Sequence, residues 1–188
     1  MDARKVVVGL LAGLVVFVWG MVSHMALPLG EAGFSTLPAE DAVLSALSQH
    51  VPEGGLYLFP REEDPRKWEE SYRTKPHGFL VLSPAGEPLA IGRRLVVELL
   101  TNLVGGLLLA FLFAGGLPAA LNWRSGLVAG VAVAGFAVVA IDLSYANWYG
   151  FPTKYAVAQL VDHAVGWGLA GALIGWRLGL PLTAKPTV

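Results

Sequence analysis

Cysteine is absent from the chain, which excludes disulfides, thiolate metal ligands and thiol chemistry. Charge is scarce as well. Asp, Glu, Lys and Arg make up 14% of the residues and nearly cancel, to a net charge of −1. That leaves no basic patch or stripe, so no nucleic-acid partner is expected. Reaction signatures are missing too. The apolar stretches contain neither Glu-x-x-His nor His-x-x-x-His, and the acids between them lack EF-hand spacing. Gly166-x-Gly168 follows no strand, as a nucleotide loop would. Ser23 and His24 are adjacent on one helix, which is not a nucleophile–base arrangement. No residue is assigned a catalytic role, and the balance is against an enzyme.

Apolar sequence takes the place of these features. Hydrophobic residues form 55% of the chain, and the mean hydropathy is +0.59, outside the soluble globular range. Four stretches stand out, from about Val6 to Ala26, Leu95 to Gly116, Gly126 to Tyr145 and Tyr155 to Trp176. Each is about the 20 residues that a 30 Å hydrocarbon core requires. The expected fold is an all-α membrane protein, a four-transmembrane-helix bundle with a small α+β cap between helices 1 and 2. Residues 1–26 form the first span, 27–92 the cap and 93–188 a three-helix region. Arg4-Lys5 before the first span gives it a rival reading as a secretory signal. However, the apolar run Val6 to Val22 is longer than an h-region, and no A-x-A-like site follows. Retention is expected.

Lys and Arg in the short flanks set the orientation. With the N-terminus inside, the cytoplasmic side carries Arg4, Lys5, Arg124, Arg177 and Lys185, against Arg93, Arg94 and Lys154 opposite. Both termini are therefore expected in the cytoplasm, with the 27–92 loop outside. Trp123, Trp148-Tyr149 and Trp176 fall at span ends as interfacial anchors, while Trp19 and Trp167 lie deeper.

Within the cap, Val43, Leu44 and Leu47 follow Glu40-Asp41 at helical spacing. Leu56–Phe59 and Phe79–Ser83 read as strands, closed by Pro60 and Pro84. Arg61–Pro76, with ten charged residues, reads as a solvated loop or short helix around Trp68. Its acids, and His50 and His77 beside the strands, read as a solvated face.

Glycines recur at helical spacing. Gly9 and Gly13, Gly126 and Gly130, and Gly171 and Gly175 are small-xxx-small pairs, and Gly105-Gly106 and Gly166 with Gly168 lie on further candidate packing faces. Such faces let membrane helices approach closely, within one chain or between subunits.

The few polar residues of the spans gather near one membrane face: His24, Glu98, Asn102, Asp142, Gln159, Asp162 and His163. Glu98 and Asn102 are four apart, as are Gln159 and His163, so each pair shares a helix face. Ionisable groups in hydrocarbon normally face a bundle interior or water and mark functional sites. Zinc, manganese or iron could use this set, and His24 with His163 would be the axial pair for haem. A proton or ion relay is another use. The sequence nevertheless favours polar groups that fix helix register or bind a partner, with Glu98 pairing to Arg94 one turn earlier. Asn147–Pro152, an aromatic turn beside the cluster, reads as an interfacial anchor before a ligand cover. The favoured role is a non-catalytic structural, accessory or assembly subunit, contacting lipid and other membrane subunits or its own copies. The alternative is a proton- or ion-handling or metal-binding membrane protein built on the cluster. No cofactor is specified.

Overall fold

Asp2 begins the first helix, its carboxylate accepting the Lys5 backbone N–H at 3.0 Å. A side-chain acceptor at this position satisfies a donor that the first turn leaves open. The computed structural model describes residues 2–86 and 88–179, so Lys185 lies outside the described residues. Four helical segments are long and apolar enough to cross a membrane: Ala3–Met25 (α1), Ile91–Ala114 (α4), Trp123–Tyr149 and Thr153–Gly179 (α7). The third is compound. It runs as α5 (Trp123–Ala137), a π-helical turn (Val138–Asp142) and α6 (Leu143–Tyr149). Asn122 and Ser125 start it with a reciprocal capping box. Gly150 ends it in the left-handed region, at φ 72°, where a residue without Cβ carries no steric penalty.

The cap lies between α1 and α4. It holds α2 (Glu40–His50), β1 (Gly55–Phe59), α3 (Pro65–Thr74) and β2 (Gly78–Leu82). The strands pair antiparallel, with Leu56 opposite Val81 and Leu58 opposite Phe79. The charged stretch between them forms a helix because Asp64 caps it and Pro65 fits its first turn. Trp68 Nε1 then donates to Pro60 O at 2.9 Å, tying that helix to the end of β1.

Glycine decides which spans touch. α5 and α7 run antiparallel with Gly126 against Gly171 and Gly175, and Gly130 against the backbone of Trp167 and Gly168. On the other side Gly9 lies over Leu107 and Ala110, and Gly13 over Asn102 and Leu103. Of Gly105-Gly106, it is Gly106 that makes the backbone-to-backbone contact with Gly9 and Gly13. The two pairs join through α1 and α7, while α4 meets α7 only slightly. The resulting order is α4, α1, α7, α5. At the end away from the cap, Val8, Ala12, Leu109, Ala110, Phe113, Ala170 and Ile174 form an apolar core. Val7, Leu14, Val104, Leu108, Val128 and Phe136 point outward and are exposed, as a lipid-facing surface requires.

Six rings fasten the cap to the bundle. Phe79 of β2 stacks on Phe151 at 5.4 Å and meets Tyr149 edge-on at 5.1 Å. Tyr145 and Tyr155 contact Phe151, and Phe34, before α2, reaches Tyr155. The aromatic turn thus docks the cap, a role beyond interfacial anchoring. Each such pair contributes about 0.5–1.5 kcal/mol beyond area burial. Phe79→Ala should therefore release β1 and β2 from the bundle. Amide exchange across residues 55–82 should rise at least tenfold, with exchange in α4 to α7 unchanged. Unaltered exchange in the strands would mean that other contacts hold the cap.

Candidate functional site

The α1–α4 pair and the α7–α5 pair close tightly on their own glycines, but α4 and α7 stay apart near the cap. A cavity of about 470 Å³ opens there, between α1, α4 and α7. Of the seven polar residues singled out in the sequence, six line it: His24, Glu98, Asn102, Gln159, Asp162 and His163. The periodicity explains this convergence. Glu98 and Asn102 lie one turn apart on α4, and Gln159 and His163 one turn apart on α7, so each pair presents one face.

Asp142 does not join them. It sits at the end of the π-helical turn on the α5–α6 span, which packs against α7 and lies away from the α1–α4 pair. The wide turn adds a residue to the helical repeat and so breaks the four-residue spacing of Gly126, Gly130, Ala134 and Val138, all buried.

The central residue is Asp162. It is 9% exposed and lies nine residues past Thr153, roughly 13 Å along α7. Its Oδ1 is buried and accepts no hydrogen bond among the described residues. Its Oδ2 faces His163 Nδ1 at 3.8 Å, beyond hydrogen-bond distance but an ion pair when that ring is protonated. The Asp162 backbone is held firmly, since its carbonyl accepts from Trp19 Nε1 at 3.0 Å. Glu98 is exposed and accepts from Asn102 Nδ2 at 2.9 Å. Arg94 does not form the expected ion pair with it. Its Nε donates to Leu89 O at 3.0 Å, which draws the guanidinium towards the cap. His24 Nδ1 is within 2.9 Å of Ser23 Oγ and 3.1 Å of Gly20 O, so local contacts hold its ring.

The wall also includes Trp19, Trp167 and Arg94. The sequence carried signals for two of them. Trp167 is four residues past His163, and Arg94 four before Glu98, which extends both polar stripes by a turn. Nothing in the spacing marked Trp19. The Trp167 ring lies over Gly105 and closes the deep end of the cavity. Beyond it the interior is the apolar core of Ala12, Leu109 and Ala170.

The arrangement limits the chemistry. Among the described residues no three His, Asp or Glu side chains come together as a metal-binding group. His24 and His163 share the cavity, but the carboxylates of Glu98 and Asp162 beside them suit a haem poorly, because its own propionates are anionic. What the cavity offers is a buried acceptor, aromatic walls, amide and imidazole groups, and one arginine towards the cap. No protein-family model, curated protein or solved structure matches the chain, so the assignment stands at an integral membrane protein with four candidate spanning helices and a polar cavity.

Proposed function

We propose that the protein binds a small ligand in the cap-side cavity, from one side of the bilayer, with Asp162 as the principal contact. The observation that carries this reading is the Asp162 carboxylate, whose Oδ1 accepts no hydrogen bond among the described residues, on the wall of a cavity lined by six other polar side chains of the spans. Burying a carboxylate oxygen without a partner costs several kcal/mol (about 1–3 or more), and a donor or cation on a ligand would offset that. The volume lies in the range of small-molecule sites, roughly 300–1,000 Å³.

A conduit is a weaker reading of the same residues. A proton or ion path needs polar groups across the whole membrane, and past Trp167 the interior is apolar. The accessory-subunit reading drew its contacts from glycine faces and from the polar cap. Those faces are occupied between α1 and α4 and between α5 and α7, so the weight moves to the cavity.

Native mass spectrometry of protein extracted gently from its own membrane tests the proposal. A bound small molecule should accompany the chain and be lost in Glu98→Gln and Asp162→Asn. A stoichiometric complex with other polypeptides, carrying no small molecule, would return the accessory reading to first place.

The orientation belongs to the same proposal. The end away from the cap carries Arg4, Lys5, Arg124 and Arg177, the last two beside Trp123 and Trp176, so the basic excess favours that end inside. The cavity then opens outward. Because the chain has no cysteine, single cysteines report sidedness directly. Ser48→Cys in the cap should react with an impermeant maleimide on intact cells, and Ala119→Cys only after permeabilisation. The reverse pattern would place the cavity on the cytoplasmic face.

A further inference from the structure

The cavity combines features that a simple cation site would not need. The Asp162 carboxylate lies on its wall, with no hydrogen bond to Oδ1 among the described residues, and the rings of Trp19 and Trp167 line the same space. A buried carboxylate beside aromatic walls suits an ammonium group, because the faces of indole rings attract cations. The Trp19 ring is fixed for that purpose by its bond to the Asp162 carbonyl. A bare metal ion is a poor match, since no group of three ligating side chains is present among the described residues.

Arg94 adds the opposite charge. It lies one turn closer to the cap than Glu98, yet Glu98 is bonded to Asn102 and Arg94 to Leu89 O. Among the described residues Arg94 therefore makes no ion pair with Glu98, and it lines the cap-side part of the cavity. Guanidinium recognises phosphate with paired N–H donors. The wall also carries apolar side chains, among them Val16, Phe17, Met21 and Leu95. The contact between α4 and α7 is slight, so a lipid head group entering the cavity would pass between these two helices.

We infer that the cavity takes a zwitterionic aminophosphate, its ammonium on Asp162 between Trp19 and Trp167 and its phosphate on Arg94. This rests on the cavity reading above and names its ligand class. The aminophosphate could arrive as the head of a membrane lipid through the α4–α7 side or as a water-soluble ester from the cap side.

Thermal unfolding of the full chain in maltoside, titrated with defined probes, tests the inference. The probes are dihexanoyl-phosphoethanolamine, dihexanoyl-phosphoglycerol, O-phosphoethanolamine and ethanolamine. A probe with both charges should bind roughly tenfold or more tightly than its counterpart lacking one, as expected for a lost charged hydrogen bond. Asp162→Asn and Arg94→Gln should each remove a similar factor. Tight binding of the short-chain lipid alone would support the inference with a lipid source. Equal binding of O-phosphoethanolamine would support it with a soluble source. Equal binding of the phosphoglycerol probe, or of ethanolamine, would overturn the aminophosphate assignment. If that binding still required Asp162, the cavity reading would stand. Binding of no probe in an Asp162-dependent manner would overturn both.

Discussion

Gly130→Leu should separate α5 from α7 and prevent recovery of a monodisperse folded protein. A Cβ at position 130 would press on the main-chain carbonyl of Trp167, and the reciprocal contact of Gly126 with Gly171 lies one turn away. Side-chain rotation cannot relieve a clash with backbone. The helices would have to move apart along the whole interface, losing the dispersion contacts that hold membrane helices together. Overpacking a core by a few methylenes already costs about 1–3 kcal/mol, and here the expected loss is at the upper end or beyond. Gly135→Leu is the matched control. It lies in the same helix, and a Cβ there has nothing within 4 Å. Because leucine also favours helix over glycine, that variant should be neutral or slightly stabilised. Denaturant titration in mixed micelles would compare the two, and equal stability would mean that the glycine contact does not hold the pair together.

The same glycines show what the sequence could and could not disclose. Small-residue spacing marks a face but not its partner, so Gly9 with Gly13 and Gly126 with Gly130 predicted close approach without saying to which helix. The partners follow from three-dimensional fit, in which Gly106 rather than Gly105 meets α1 because it faces Gly9 and Gly13 directly. Gly105 instead leaves room for a ring. The four spans were legible because hydropathy over twenty residues is a strong signal, and both cap strands because short β-prone runs ended at Pro60 and Pro84. The π-helical turn was not, since Val138–Asp142 reads like ordinary helix. That one local change, together with the position of α5 beyond α7, removes Asp142 from a cluster it was expected to join. Arg94 shows a similar limit. Spacing of four permits an ion pair with Glu98, but competing bonds to Leu89 and from Asn102 decide against it.

A polar cavity at one end follows from this packing. Glycine contacts draw α1 and α4 together along Gly9 and Gly13, and α5 and α7 along Gly126 and Gly130, whereas no comparable contact joins α4 to α7 beyond the Trp167 ring at Gly105. The space left on the cap side is where the chain places its intramembrane acid. Sites that bind often keep groups that the fold alone would satisfy or remove.

Asp162→Asn should therefore raise the stability of the ligand-free protein while abolishing ligand-dependent stabilisation. In the wild-type chain Oδ1 accepts no hydrogen bond among the described residues, and Oδ2 lies 3.8 Å from His163 Nδ1, an ion pair only when that ring is protonated, so with a neutral imidazole the carboxylate has no bond that asparagine would break. Removing the charge lowers the burial penalty, and a gain of about 1 kcal/mol is expected. The Asp162 backbone bond to Trp19 is untouched by the change. A register-fixing role, in which Asp162 locks α7 to α1 through its side chain, makes the opposite forecast. Breaking such a buried bond should cost about 1–3 kcal/mol. Thermal unfolding of wild type and variant, each with and without extract from the native membrane, separates the cases. A more stable variant that no longer responds to extract identifies Asp162 as a binding group. A less stable variant assigns it to the fold, and a variant that responds as wild type does would remove it from the site altogether.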